Sequence, residues 1–174
     1  MPATPDDLFA LLDRLGIAHA SASHPPLFTV EASRRLRGTI PGGHTKNLFL
    51  ADKRGRVFLV SALEDAAIDL KRLHHRLDAG RFSFGSAALM RELIGIEPGA
   101  VTPFALMNDT AGRIAVVLDA PMMREKTLNF HPLVNTMTTT IARDDLVKFL
   151  EATGHKPRIL AVSGPERAGP AGPC

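Results

Sequence analysis

The chain has 174 residues, of which 45% are hydrophobic and 22% are charged, and its formal net charge is +3. This length and composition fit one globular domain that can bury its own core without disulfides or a structural metal. The single cysteine, Cys174, excludes an internal disulfide and a CxxC metal site, and no apolar run approaches the length of a membrane span. Since the N-terminus also lacks a signal-peptide pattern, we expect a cytoplasmic protein.

Helix and strand patterns interleave irregularly along the first half of the chain. Thr4 and Pro5 are typical of a helix start, and Gly16 ends the apolar stripe that follows. Thr29 is expected to cap a second helix, and residues 52–55 are expected to form a hairpin turn. In chain order, the predicted elements are a helix over 5–15, a strand over 17–23, a helix over 30–37 and hairpin strands over 46–51 and 56–62.

The second half continues this mixture and ends in a Gly- and Pro-rich tail. The predicted elements are a helix over 65–77, a strand over 81–84, a helix over 87–94, a strand over 113–118, a short helix over 121–126, an extended segment over 127–132, a strand over 135–141, a helix over 142–153 and a strand over 159–162. One antiparallel hairpin among interleaved helices predicts a single α/β (α+β) domain with a mixed sheet over residues 1–162. Residues 163–174 are predicted to be disordered.

The stretch 38–50 joins a loop of Gly and Pro residues to an apolar strand, with Lys46 and Asn47 at the junction. Side chains mounted where a loop enters a rigid strand are often used for binding or catalysis. The loop glycines allow a substrate to approach the backbone, because they carry no Cβ. An ordinary turn followed by a solvated lysine is the competing interpretation.

The positive charge of the chain is concentrated around this loop. Residues 31–56 contain seven lysines and arginines against two carboxylates, whereas the rest of the chain has a small negative excess. A local cationic field suits a polyanionic partner, although a solvated basic face has the same composition. The candidate contacts are Arg34, Arg35, Arg37, Lys53 and Arg54.

A second Gly/Pro loop over 96–104 and one histidine complete the candidate residues. His131 lies in an apolar, extended setting between Phe130 and Pro132, and Asn135 follows four residues later. A buried histidine bonded to the backbone is the simpler interpretation of His131 alone. The P-loop, GxGxxG, HExxH and GxSxG motifs are absent from the sequence, so we expect no metal or cofactor. The combination favours an anionic ligand that is held by positioning and by backbone donors.

Three of these segments carry a family likeness. Residues 42–50 (GGHTKNLFL), 99–104 (GAVTPF) and 129–135 (NFHPLVN) occur in an order that resembles the YbaK/ProRS-associated editing superfamily. The likeness spans residues 4–162 and is closest to the free-standing Ala-tRNA(Pro) deacylases of the ProX type. It implies a mixed α/β domain with a curved, barrel-like sheet. It also implies hydrolysis of the ester between a wrong amino acid and the terminal adenosine of tRNA.

The resemblance assigns roles to individual positions. Lys46 matches the family lysine that orients the terminal nucleotide, Asn47 its polar neighbour, and His131 the histidine near the aminoacyl group. The loop from Gly99 to Pro103 matches the family GxxxP loop that lines the acyl site. The implied substrate-binding residues are Gly99, Ala100, Val101, Thr102, Pro103, Val30, Phe130 and Asn135, and the candidate walls that exclude larger amino acids are Val30, Phe130 and Met107.

The implied partner is the acceptor stem of tRNA(Pro) carrying alanine, with prolyl-tRNA synthetase as a further partner and a monomer as the expected state. Attack by water, assisted by a 2′-hydroxyl of the tRNA, needs no protein base. Two alternatives stay open: a Cys-tRNA(Pro) deacylase of the same superfamily, and a non-catalytic module that binds tRNA or the synthetase.

Overall fold

The computed structural model describes residues 1–26 and 30–165, in which short helices and strands alternate. The helices are α1 (Pro5–Arg14), α2 (Val30–Arg37), α3 (Leu73–Arg76), α4 (Ala87–Ile94) and α5 (Arg143–Ala152), with 3₁₀ turns at Pro103–Asn108 and Met122–Arg124. The strands are β1 (His19–Ser23), β2 (Gly43–Asp52), β3 (Val57–Leu63), β4 (Phe82–Phe84), β5 (Ile114–Asp119), β6 (Thr127–Phe130), β7 (Met137–Ala142) and β8 (Arg158–Leu160).

The described strands form one mixed sheet of eight strands, in the order β1-β7-β6-β2-β3-β5-β8, with β4 paired to β2. Strands β2 and β3 form the predicted antiparallel hairpin, whereas β3 pairs with β5, and β2 with β6, in parallel. The mixed α/β class is therefore confirmed. The sheet is open, with β1 and β8 at its two ends, so it is not closed into a barrel.

Strand β2 is the element that positions the site, because three other strands pair with it. Its first residues, Gly43 and His44, pair with Leu128 and Asn129 of β6. Strand β2 therefore begins three residues before the predicted start at Lys46. A side chain at Gly43 would be a tight fit, since a Cβ there would approach side-chain carbons of Glu125 and Leu63 to 3.0 Å.

Helix ends follow the capping signals in the sequence. Thr4 and Asp7 form a reciprocal capping box at α1. The hydrogen bonds from the backbone and side chain of Thr4 lower the pKa of the Asp7 carboxyl. Ser86 accepts a hydrogen bond from the Leu89 amide at the start of α4, and Gly95 ends that helix with a φ of 64°.

The core lies between the sheet and the helices α1, α4 and α5. Phe104 packs edge-on against Phe130 and Phe149, with ring centroids 5.7 and 5.4 Å apart. All three rings are buried, together with Leu8 and Leu12 of α1. This packing fixes the Pro103–Asn108 turn against the ends of β6 and α5.

The predicted helix over 65–77 is wrong, because only Leu73–Arg76 are helical. Asp69 accepts a hydrogen bond from the Lys71 amide through its side chain and another from the Arg72 amide through its carbonyl. An aspartate that bonds the backbone two residues later forms a local turn that competes with a helix. The apolar spacing of this segment therefore does not develop into a full helix.

The hydrogen-bonded part of the chain extends beyond the predicted boundary at residue 162. Ser163 donates its amide and hydroxyl to Asp119, and the Gly164 amide donates to the Ala67 carbonyl. Residues 166–174, including Cys174, and the predicted cap Thr29 lie outside the described residues.

Candidate active site

A cleft of about 250 Å³ lies where three separate segments meet. One segment is the start of β2, another is the loop after α4, and the third follows β6. The lining residues are Thr45, Lys46, Asn47, Gly99, Val101 and His131. The fold thus brings together the lysine, the loop and the histidine that the sequence singled out, although Lys46 and His131 are 85 positions apart in the chain.

Lys46 is held at the cleft by the backbone on both sides of its side chain. In β2 it pairs with Ala62 of β3, and its Nζ donates a short hydrogen bond to the Ala66 carbonyl beyond the end of β3. This bond fixes the direction of a flexible side chain that would otherwise sample many rotamers. The ammonium is therefore a cation with a defined place at the cleft.

Asn47 follows Lys46 in β2 and also lines the cleft. Its Oδ1 accepts a hydrogen bond of 2.5 Å from the Ser61 hydroxyl, and its Nδ2 lies 3.4 Å from the Thr45 hydroxyl. The Thr45 hydroxyl in turn donates to the Asn129 carbonyl at 2.7 Å. Asn47 thus joins β2 to β3 and orders the residues beside the cleft.

The ring of His131 is half-buried and has a defined proton position when it is neutral. Its Nδ1 lies 2.9 Å from the Met137 carbonyl, which only accepts, so Nδ1 carries the proton. Burial lowers the pKa of His131, and the nearby His24 lowers it further, against the opposing effect of the Met137 bond. The neutral ring then keeps a lone pair on Nε2, which has no hydrogen-bond partner among the described residues.

His24 is a neighbour of the site that the sequence did not reveal. Its Nε2 lies 2.8 Å from the Thr138 hydroxyl, and its ring centroid lies 6.1 Å from that of His131. The adjoining prolines marked this position only as a break in regular structure. The pairing of β1 with β7, which brings it to His131, is a long-range contact with no local signal.

The loop from Gly99 to Pro103 contributes to the cleft at two positions. Gly99 has a φ of 93°, and a Cβ there would lie 3.7 Å from the side-chain Nδ2 of Asn135, so these two residues are neighbours. Val101 supplies the apolar side chain of the cleft. In contrast, Ala100, Thr102 and Pro103 are buried, and the Thr102 hydroxyl caps the following 3₁₀ turn.

The residues proposed as a wall against larger amino acids are placed elsewhere. Phe130 is 2% exposed and packs in the core, and Met107 packs against the same core cluster. Neither is among the residues that line the cleft. The side chain of Val30 lies outside the described residues. Val101 is the apolar side chain among the described lining residues of the cleft.

The candidate tRNA-binding cations occupy two separate places. Arg34 and Arg35 are exposed on α2, where Arg35 pairs with Glu31 at 3.1 Å, and the side chain of Arg37 is not described. Lys53 and Arg54 are exposed in the β2–β3 turn. Lys53 lies seven positions after Lys46, just past the end of β2, which is a distance of about 23 Å at the usual rise of a strand.

A larger cleft of about 400 Å³ adjoins that turn, with Lys53, Lys71 and Arg81 among its lining residues. The smaller cleft is the candidate site, because the imidazole of His131, the ammonium of Lys46 and the backbone of Gly99 meet there. The larger cleft offers cations suited to phosphate groups, but no histidine lines it.

The chemical groups of the smaller cleft limit the reactions it can support. None of its six lining residues carries a carboxylate or a thiol, and the hydroxyl of Thr45 is already bonded to a backbone carbonyl. The arrangement suits electrostatic stabilisation and orientation of a substrate attacked by water. Within residues 1–26 and 30–165, no group of three or more His, Cys, Asp or Glu side chains could hold a metal ion. No helix in the same residues is long and apolar enough to cross a bilayer.

The fold is a single mixed α/β domain, and its cleft carries a lysine, a histidine and an asparagine. The family of aminoacyl-tRNA editing domains matches residues 24–149, which include every lining residue of the cleft. The chain belongs to this family.

Individual relatives agree with the assignment. The prolyl-tRNA synthetase associated domain-containing protein 1 of Danio rerio is 38% identical over 157 residues, which cover 89% of this chain and 85% of the relative. The prolyl-tRNA editing protein ProX of Acetoanaerobium sticklandii is 32% identical over 149 residues, covering 85% and 91%.

The fold is also similar to solved structures. The crystal structure of a candidate trans-editing enzyme for prolyl tRNA synthetase superposes with a TM-score of 0.67 at 16% identity, covering 95% of this chain and 100% of that one. At this identity the likeness concerns the fold alone.

Proposed function

We propose that the protein is a cytoplasmic trans-editing enzyme that hydrolyses the ester between alanine and mischarged tRNA(Pro). The observation that carries the proposal is the meeting of Lys46, Gly99 and His131 in one cleft of an aminoacyl-tRNA editing domain. Relatives named for prolyl-tRNA editing and for association with prolyl-tRNA synthetase support tRNA(Pro) as the substrate and the synthetase as a partner. The protein acts as a monomer in this proposal.

The reaction is attack of water on the ester carbonyl that joins alanine to the terminal ribose. The described cleft offers no carboxylate or thiol nucleophile, so a covalent acyl-enzyme is not part of the mechanism. The free 2′-hydroxyl of the terminal adenosine assists the attacking water. The proton released by the water passes to the leaving ribose oxygen, which gives alanine and intact tRNA.

Lys46 stabilises the negative charge that develops on the carbonyl oxygen. Its ammonium is already fixed by the Ala66 carbonyl, so little reorganisation is needed in the transition state. His131 accepts a hydrogen bond at Nε2 from the α-ammonium group of the alanine and thereby orients the ester. Asn47 is a positioning residue, since its bonds to Ser61 and Thr45 order the strand on which Lys46 lies.

Val101 limits the size of the acyl group. Small apolar groups differ by only about 1–3 kcal/mol in a favourable pocket, so exclusion of proline depends on a steric wall. Exposed cations on α2 and in the β2–β3 turn bind phosphates of the acceptor stem.

A panel of four substrates tests the proposal: alanine, cysteine, serine and proline, each attached to tRNA(Pro). The proposal predicts rapid release of alanine and sparing of proline, measured with excess enzyme over labelled acyl-tRNA. Preferred release of cysteine would show that the enzyme is a Cys-tRNA(Pro) deacylase. The specificity for alanine would then be wrong, but the editing reaction would stand. Binding of every acyl-tRNA without release of any amino acid would support the non-catalytic alternative.

A further inference from the structure

The C-terminal strap, residues 161–165, is attached to the body of the protein by two side chains. The Arg76 guanidinium donates to the carbonyls of Ala161, Ser163 and Gly164 at 3.3, 3.2 and 2.5 Å. Arg76 thereby holds three successive parts of the strap with a single planar group.

Asp119, at the end of β5, is the second attachment. Its carboxylate is fully buried and accepts from the amides of Val162 and Ser163 at 2.8 and 3.2 Å and from the Ser163 hydroxyl at 2.5 Å. A buried carboxylate is costly unless such donors satisfy it. This side chain and the strap therefore depend on each other.

The strap reaches the active site through one further hydrogen bond. The Gly164 amide donates to the Ala67 carbonyl at 2.9 Å, and the preceding carbonyl, that of Ala66, accepts from the Lys46 ammonium. A continuous chain of contacts therefore runs from Arg76 through Gly164 and the Ala66–Ala67 segment to Lys46. Besides accepting from Lys46, Ala66 donates a hydrogen bond from its amide to the Leu63 carbonyl at 3.0 Å.

We propose that Arg76 and Asp119 are positioning residues that fix the Lys46 ammonium through the C-terminal strap. The small side chains of Ala66 and Ala67 offer little packing of their own, so the strap restricts the movement of this segment. Displacement of a catalytic group by about 1 Å can lower a rate by about 10²-fold. The strap thus acts on the chemical step rather than on tRNA binding.

The inference rests on the proposed function for its kinetic readout but not for its structural one. Two variants of the 174-residue chain each remove part of the attachment of the strap. Arg76→Ala removes the three carbonyl contacts. Gly164→Pro removes the amide donor to Ala67, and the φ of 74° at Gly164 excludes a proline there. Arg113→Ala is the control, because it also removes one arginine. In the wild type, Arg113 pairs with Glu92 at 3.9 Å, away from the strap.

The measurements are kcat and KM for release of alanine from Ala-tRNA(Pro), and the NMR signal of the Lys46 side-chain nitrogen in the free protein. Both strap variants are expected to lower kcat by about two- to thirtyfold, the range for coupling through packed contacts, with little change in KM. They are also expected to shift the Lys46 signal, whereas Arg113→Ala changes neither quantity.

A folded Gly164→Pro or Arg76→Ala protein with the kcat and the Lys46 signal of the wild type would overturn the proposal. A rise in KM at constant kcat would also overturn it, because the strap would then serve tRNA binding. If the wild type releases no amino acid, the proposed function fails. The Lys46 signal in the two variants then still decides the role of the strap.

Discussion

His131 offers the most informative single substitution, because its two ring nitrogens have different environments. His131→Asn places an amide near the position of Nδ1, where it can still donate to the Met137 carbonyl, but it leaves nothing at Nε2. The variant therefore separates the structural bond from the group that faces the substrate. His75→Asn is the control, since His75 is exposed on α3.

The magnitude follows from the role of Nε2. A hydrogen bond to a charged group contributes about 1.5–3 kcal/mol, so its loss should lower kcat/KM for Ala-tRNA(Pro) by about 10- to 150-fold. General base catalysis would contribute about 10²- to 10⁴-fold instead. A loss well above 10³-fold would refute an orienting role in favour of a general base, and an unchanged kcat/KM would refute any contact of Nε2 with the substrate.

The pH dependence supplies a second measurement on the same residue. Burial lowers the pKa of His131, so Nε2 remains an acceptor down to pH values below the ordinary histidine range. We expect kcat/KM of the wild type to stay level as the pH falls to about 6.5, the unperturbed histidine pKa, and to decline only below it. A decline that begins above that value would contradict the environment described for the ring.

The sign of the stability effect is also determined. Since the pKa of His131 is lower in the folded state than in the unfolded state, the unfolded state binds the proton first as the pH falls. The contribution of this residue to the free energy of unfolding is complete above the unfolded pKa and is lost as the pH falls through the folded pKa. Urea denaturation of the wild type and His131→Asn across this range measures the difference.

Three further predictions concern other parts of the protein. Val101→Ala should enlarge the cleft and raise kcat/KM for Pro-tRNA(Pro) by about 10- to 200-fold, and unchanged sparing of proline would place the steric wall elsewhere. Asp109→Ala should lower the free energy of unfolding by about 3–5 kcal/mol in urea denaturation, because Asp109 and His155 form a buried pair at 2.8 Å. A change below 1 kcal/mol would contradict that pairing. Lys53→Ala and Arg54→Ala should raise KM and each reduce the salt-dependence slope of tRNA binding by about one, whereas an unchanged slope would exclude these cations from the phosphate contacts.

The local parts of the fold could be predicted because their signals lie within a few residues. The capping box at Thr4, the Ser86 cap and the β2–β3 hairpin all depend on neighbours in sequence. The helix expected over 65–77 is an exception. Its apolar spacing favours a helix, but the Asp69 side chain accepts a hydrogen bond from the Lys71 amide and forms a turn instead. Apolar spacing alone cannot show whether a side chain will bond the backbone and prevent a helix from forming.

The residues of the candidate site could be recognised from the sequence, but their arrangement in space could not. The residue types of Lys46, Gly99 and His131 indicated a site, but their meeting in one cleft depends on the pairing of β2 with β6 and on the loop after α4. The wall residues could not be chosen from the sequence, because the face of a residue near a strand end is set by register. The structure places Phe130 in the core and Val101 at the cleft.

Hydrolysis of Ala-tRNA(Pro) by the wild type and by Lys46→Ala, at saturating enzyme and with Pro-tRNA(Pro) alongside, tests the central claim most directly. Loss of one electrostatic stabiliser of the transition state should lower the rate of alanine release by about 10²- to 10³-fold, while the wild type spares proline. Full activity of Lys46→Ala, or a wild type that leaves alanine attached to tRNA(Pro), would contradict the account.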